Sequence, residues 1–175
     1  PPGGRLLDNG PRSPPLPGAR AAGARRAAHA ALARFGLSAF ADHYPHALSG
    51  GMRQRGSLAR TLLSGSGAWL LDEPFGALDA LTRLTMQDLL LDIHSSEPTT
   101  VVLVTHDVDE ALALADRIVL LGEDPASPGS GSSIRSILEV GKPRPRDWAD
   151  AALALLRADL LERLGVDSHH TPNYV

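Results

Sequence analysis

Apolar residues along the chain gather into segments of two kinds. "AWLLDEPF" (68–75) and "TTVVLVTHD" (99–107) are short apolar runs closed by polar residues, the pattern of strands buried on both faces with their C-terminal tips at the surface. Between them, "LDALTRLTMQDLLLDIHSS" (78–96) places Leu81, Leu84, Leu89 and Ile93 in the apolar positions of an amphipathic helix. "VDEALALAD" (108–116) reads as a helix, "RIVLLG" (117–122) as a third strand and "IRSILEV" (134–140) as a further strand. "DWADAALALLRADLLERLG" (147–165) reads as a terminal helix. Upstream, the Ala-rich stretch 25–40 predicts a helix ending near Gly36, and residues 51–63 predict a second. Strand and helix alternate at short intervals, which predicts an α/β fold with a mainly parallel sheet.

Composition divides the chain further. Residues 1–24 are rich in Pro, Gly and Arg without periodicity and are expected to be irregular or disordered. Residues 25–122 form the α/β domain, "EDPASPGSGSS" (123–133) a flexible linker, and residues 134–175 a strand-and-helix extension. The first residue is Pro rather than Met, and the opening reads as a cut end. At 175 residues, 43% hydrophobic and 21% charged, the chain has the length and composition of one globular domain or most of a larger one. A net charge of −3 makes no electrostatic case for nucleic acid. The absence of cysteine excludes disulfides and thiol chemistry. The apolar stretch Ala111 to Leu121 is broken by Asp116 and Arg117, too early for a membrane span.

The candidate chemistry begins at "ALSGGMRQRGSLAR" (47–60), where Ser49, Gly50 and Gly51 precede a predicted helix. Two adjacent glycines weaken an element unless the backbone must come close to something, and at a helix start that partner is often a phosphate. Arg53 and Arg55 add positive charge behind the loop. The alternative is an N-cap serine followed by a flexible turn. Asp72 and Glu73 are adjacent acids at a strand tip, where the chain is already turning into a loop. An acidic helix cap is the alternative, and it suits Asp79 better than Asp72. His106 follows a buried strand, where a neutral imidazole can hydrogen-bond a phosphate oxygen. The other six histidines show no metal-ligand spacing, and core packing accounts for Trp69.

"LSGGMRQR", "LLDEPFGALD" and "VTHD", in that order, resemble the nucleotide-binding subunits of ABC transporters, most densely from about Arg25 to Gly122. "DEPFGALDALTR", "MQDLLL", "THDVDEALALADRIVLL" and "KPRPRDWAD" are similar to the ATPases of nitrate, sulfonate and taurine importers. The resemblance implies part of a P-loop-NTPase-type domain with part of its helical subdomain. It implies that Leu48, Ser49, Gly50, Gly51 and Gln54 form a signature loop on the γ-phosphate of ATP held by a partner subunit. By the same resemblance, Asp72 helps hold Mg²⁺ through water, and Glu73 is the base that polarises the attacking water. His106 is the switch histidine, and Asp79 lies in a D-loop facing the opposite subunit, although a plain helix N-cap explains Asp79 almost as well.

The implied partners are a second ATPase subunit in a homodimer, transmembrane permease subunits and, indirectly, a substrate-binding protein, with the chain peripheral on the cytoplasmic face of the membrane. The implied function is ATP hydrolysis driving uptake of a small anion such as nitrate, a sulfonate or taurine. No G-x-x-x-x-G-K-[ST] occurs, and the only lysine, Lys142, lies in "GKPRP". "LLDNG" (6–10) is similar to the family's "VLDNV", after which the resemblance lapses until Arg25; a frameshift after Asn9 would produce this. Two further readings stay open: a non-catalytic half that only supplies the signature loop to a partner's site, and an inert gene remnant. With the N-terminal strands of such a sheet missing, at least one of "AWLLD" (68–72) and "VVLVT" (101–105) is expected to become an edge with unpaired N–H and C=O groups and apolar surface open beside it.

Overall fold

The structure, a computed structural model, describes Leu6 and residues 19–123 and 131–166. Most of the segment expected to be irregular, most of the linker and residues 167–175 lie outside the described residues. The chain divides into two compact units, Pro1–Val104 and Thr105–Val175. Among the described residues no helix is long and apolar enough to cross a membrane.

The first unit opens with helix α1 (Ala19–Arg34), which starts six residues before the expected Arg25 because the alanine-rich run extends back to Ala19. It ends as the sequence indicates. Gly36 adopts φ +66°, its N–H donates to the Ala33 carbonyl at 3.0 Å and the Leu37 N–H to Leu32 at 2.8 Å, the two bonds of a Schellman cap. Two 3₁₀ turns, Ser38–Phe40 and Pro45–Ala47, lead to helix α2 (Gly50–Leu63), which packs on α1. Strand β1 (Ala68–Asp72), helix α3 (Ala80–Ser96) and strand β2 (Thr100–Val104) follow as a right-sized β-α-β unit. β1 and β2 pair in parallel, from Ala68 opposite Thr100 to Asp72 opposite Val104.

Trp69 and Leu71 point from β1 into a core that they share with Phe35, Leu58, Met86 and Ile93. Trp69 is therefore a core residue, as its position suggested. Burial on both strand faces is not observed. Leu70 is 79% exposed, and Val102 and Val104 are each about half exposed, so among the described residues the second face of this pair is open. The apolar stripe of α3 also needs correction. Ile93 is buried and Leu89 half-buried, but Leu81 and Leu84 are exposed, and Met86 and Gln87 are buried instead. At about 100° per residue, Leu84 lies half a turn from Ile93, whereas Met86, Leu90 and Ile93 share one side.

The second unit holds helix α4 (Val108–Leu114), strands β3 (Arg117–Glu123) and β4 (Ser132–Glu139), and helix α5 (Ala151–Arg163). β3 and β4 pair antiparallel, with a bulge between Leu120 and Leu121, so they form a two-stranded ribbon of their own rather than joining a parallel sheet. Leu112, Val140, Leu153 and Leu160 form the core here, with Ile118 and Leu138 packed against it from the ribbon. Val119, Leu121, Ile134 and Ile137, on the opposite face of the ribbon, are exposed.

Candidate functional site

Ser49 stands in extended backbone (φ −64°, ψ 165°) and caps α2, its Oγ accepting the Met52 N–H at 3.2 Å. The N-cap reading is thus realised. That bond uses a lone pair and leaves the hydroxyl hydrogen able to donate, so it is compatible with an anion contact. The Gly50 and Gly51 amides precede the first intrahelical donor, Arg53 N–H to Ser49 C=O at 2.9 Å, and lie at the positive end of a 14-residue helix.

Both arginines are engaged by backbone carbonyls of the chain. Arg53 Nη1 donates to the Leu48 carbonyl at 2.6 Å, holding that buried leucine at the loop's start. Arg55 Nη1 donates to the Phe35 carbonyl at 3.0 Å and so closes the end of α1, while its Nε is buried without a partner among the described residues. Arg55 therefore serves the packing of α1 on α2, not the loop.

The glycine pair has a second reason that the sequence did not reveal. A Cβ on Gly51 would lie 3.1 Å from Leu78 Cδ2 and 3.3 Å from the Ala77 carbonyl oxygen. At Gly50 the nearest atom, Ala77 Cβ, would be 3.8 Å away, an ordinary contact. The start of α2 thus packs directly on the turn that follows β1.

That turn carries the acids. Asp72 is exposed at the tip of β1. The Glu73 N–H still donates to the Val104 carbonyl at 2.9 Å, extending the β1–β2 ladder by one bond. Glu73 then adopts φ +44°, the left-handed region, which for a residue other than glycine costs about 1–3 kcal/mol. Here the strand alternation ends, so the two neighbouring carboxylates are not bound to opposite faces. The Glu73 carbonyl accepts from Gly76 N–H at 3.2 Å and from Gln54 Nε2. Gln54 Oε1 in turn accepts the Ala77 N–H at 2.9 Å. Phe75, fully buried, anchors the turn, and the Leu78 N–H closes it on the Phe75 carbonyl at 3.0 Å.

Asp79 follows as the N-cap of α3, accepting the Thr82 N–H at 3.0 Å. That bond is the main reason its carboxyl is held below the ordinary carboxylate range. Leu48, Ser49, Gly50, Gly51, Gln54, Asp72, Glu73 and Asp79 all belong to the first unit, and the Gly51 and Gln54 contacts join the loop to the acidic turn.

His106 belongs to the second unit, exposed between β2 and α4. Thr105 Oγ1 accepts the Asp107 N–H at 3.1 Å, and Asp107 caps α4 by accepting the Asp109 and Glu110 N–H groups at 2.9 and 3.1 Å. The imidazole is thus carried on a turn stiffened by the residues flanking it.

Sequence reasoning did not assign roles to Arg144 and Arg146. Arg144 Nη1 donates to the Leu114 carbonyl at 2.9 Å, and its Nη2 pairs with Asp116 at 2.8 Å. Arg146 reaches the Leu112 carbonyl at 2.6 Å and those of Lys142 and Val140 at 3.1 and 3.3 Å. Burial, then the charge of Arg144, pulls the Arg146 guanidinium below its ordinary pKa. Together they satisfy the last carbonyls of α4. The signal was the proline-spaced arginine pair in "KPRPRD".

The donor set fits an anionic phosphate at Ser49 and the Gly50 and Gly51 amides, and a hydrated Mg²⁺ beside Asp72, because that ion keeps several waters and needs few carboxylates. Residues 5–76 match the ABC transporter family. The chain belongs to this family. It is 49% identical over 140 residues to the aliphatic sulfonates import ATP-binding protein SsuB of Escherichia coli (strain K12), covering 80% of this chain and 52% of that protein. It is 50% identical over 129 residues to SsuB 1 of Pseudomonas syringae pv. syringae (strain B728a), covering 74% of this chain and 52% of that protein. The chain therefore spans about half the length of the curated relatives it matches.

Among solved structures it is similar to a dimeric bacterial ABC transporter cassette, with a TM-score of 0.60 and 30% identity over 75% of this chain and 53% of that one. A dimeric ATP-binding cassette in a post-hydrolysis state bound to ADP and Pi gives a TM-score of 0.63 and 26% identity over 80% of this chain and 58% of that one. The α/β class expected from the strand and helix pattern is the class of these cassettes.

Proposed function

We propose that these residues form part of the ATP-hydrolysing subunit of an ABC importer that energises uptake of aliphatic sulfonates. The observation that carries this reading is the joining of the LSGG helix start to the acidic turn, with Glu73 at the strand tip in a left-handed conformation. The names of the curated relatives support the substrate class, and the dimeric cassettes support a homodimer. Permease subunits would hold the dimer on the cytoplasmic face of the membrane.

In this reading Glu73 accepts hydrogen bonding from the attacking water and polarises it, while the His106 imidazole hydrogen-bonds a γ-phosphate oxygen. Ser49 and the Gly50 and Gly51 amides bind the γ-phosphate of the ATP on the second subunit. Mg²⁺, when bound, neutralises charge on the phosphate oxygens, and Asp72 would hold it through water. These 175 residues contain no G-x-x-x-x-G-K-[ST], so the reading assigns to them no phosphate cradle for the subunit's own ATP.

The test is steady-state ATP turnover by a full-length subunit containing this chain. Glu73→Gln should lower kcat by about 10²–10⁴ while ATP binding is retained. Normal turnover in that variant would remove Glu73 from the role of base.

A further inference from the structure

Gln54 is the residue whose observed bonds the signature-loop reading does not absorb. Its carboxamide is part-buried and turned toward its own chain, with Nε2 on the Glu73 carbonyl and Oε1 on the Ala77 N–H. The orientation is unambiguous, because a carbonyl can only accept and an amide N–H can only donate. One side chain from the first turns of α2 thus binds both ends of the turn 73–77. It does so opposite the Glu73 N–H, which is fixed on Val104 of β2. The Glu73 backbone is therefore held from two directions at the point where its φ is least favourable. Close packing of Gly51 on Ala77 and Leu78 brings the two segments together without touching the Glu73 backbone, and the carboxamide adds a hydrogen bond at Glu73 itself.

We propose that Gln54 is a positioning residue that holds the Glu73 backbone to the start of α2, so that the loop facing a phosphate and the carboxylate facing water keep one fixed relation. The proposal rests on the ATPase reading for its consequence in turnover, but not for the clamp itself. Gln54 need not touch the nucleotide to matter: it acts through Glu73. Gln54→Leu removes both bonds at similar volume. Gln54→Glu keeps an acceptor for Ala77 N–H but has no donor for the Glu73 carbonyl, and it sets a negative charge against that oxygen.

Two measurements on the full-length subunit test this. The first is hydrogen exchange at the Ala77 amide, expected to quicken at least about ten-fold in Gln54→Leu and to stay slow in Gln54→Glu. The second is steady-state kinetics. Both variants should lose about 10- to 100-fold in kcat, the effect of a misplaced base, with KM for ATP within about two-fold. Unchanged Ala77 exchange in Gln54→Leu, or full kcat in Gln54→Glu, would overturn the proposal. A rise in KM with kcat preserved would also overturn it, because Gln54 would then be a binding contact. Should Gln54→Leu not fold, Gln54→Glu decides the matter through kcat. If the unaltered subunit shows no ATP turnover, the ATPase reading fails, and the Ala77 exchange still decides the clamp.

Discussion

Arg157 grips Asp109 with two nitrogens, Nε at 2.5 Å and Nη2 at 3.1 Å, and so ties α5 to the first turn of α4, the helix that follows His106. The Asp109 hydrogen bond is also the main reason the guanidinium is held above its ordinary pKa. Both side chains remain about half exposed, so the pair is worth about 0–1 kcal/mol despite its two-point geometry. Arg157→Gln should lower unfolding free energy by no more than about 1 kcal/mol, and high salt should shrink the difference. Urea titrations at low and high salt measure this. A larger, salt-insensitive loss would mean that the aliphatic stem of Arg157, not its charge, carries the contact.

Gly50 and Gly51 should respond oppositely to the same substitution. Neither has a positive φ, so alanine is allowed at both. Gly50→Ala meets only an ordinary contact and should stabilise by up to about 1 kcal/mol through helix propensity. Gly51→Ala must displace Leu78 or the Ala77 carbonyl and should cost about 1–3 kcal/mol. Denaturant midpoints for the two variants, compared with the unaltered protein, give the answer; equal shifts would contradict the packing of Gly51.

Acid should loosen two helix starts. Asp79 is held below the ordinary carboxylate pKa first by the Thr82 N–H, and Asp150 first by Lys142 and then by the Ala152 N–H. A depressed folded pKa means the folded state binds the proton less readily than the unfolded chain. The stabilisation is therefore complete above the unfolded value of about 4 and is lost as pH falls through the folded value. Stability measured by urea should be nearly flat from neutral pH to about 5 and should fall below about 4. Asp79→Asn and Asp150→Asn should each flatten that fall.

Ser49→Arg should block a closed dimer while leaving the subunit's own ATP binding intact. Its hydroxyl caps the start of α2, and on the proposed reading a longer side chain there would take the place of the second subunit's phosphate. Nucleotide binding and ATP-dependent dimerisation, assayed separately, should show loss only of the latter. Loss of ATP binding by the altered subunit alone would place the loop on its own nucleotide.

The open face of β1–β2 should make the 175-residue chain self-associate when purified alone. Leu70, Val102 and Val104 are exposed together on a two-stranded pair whose outer edges have no strand partner among the described residues. Threonine at all three positions should reduce association in sedimentation experiments without altering the Trp69 face. A monodisperse unaltered chain would show that these residues are covered.

Much of this was legible because the signals were local. The Gly36 cap, the Ser49 and Asp79 N-caps and the β1 and β2 runs are each specified within a few residues. What was missed depends on contacts across sequence distance. The antiparallel pairing of β3 with β4 and the engagement of Arg55 by Phe35 are decided by what packs opposite, which periodicity does not report, whereas the exposure of Leu84 follows from the helical period once Ile93 marks the buried side. The same holds within the site: "LSGG" and "DEP" were visible as motifs, whereas the Gln54 bonds joining them span 19 and 23 positions.

The arginines that finish α4 have a consequence for the order in which the protein is made. A seven-residue helix is too short to persist by itself, and the Arg146 guanidinium that closes on its Leu112 carbonyl is translated 34 residues later. At about 5–20 residues per second, ribosomal synthesis leaves that carbonyl without its donor for roughly 2–7 s. The turn bearing His106 therefore leaves the ribosome ahead of the contacts that steady the helix behind it.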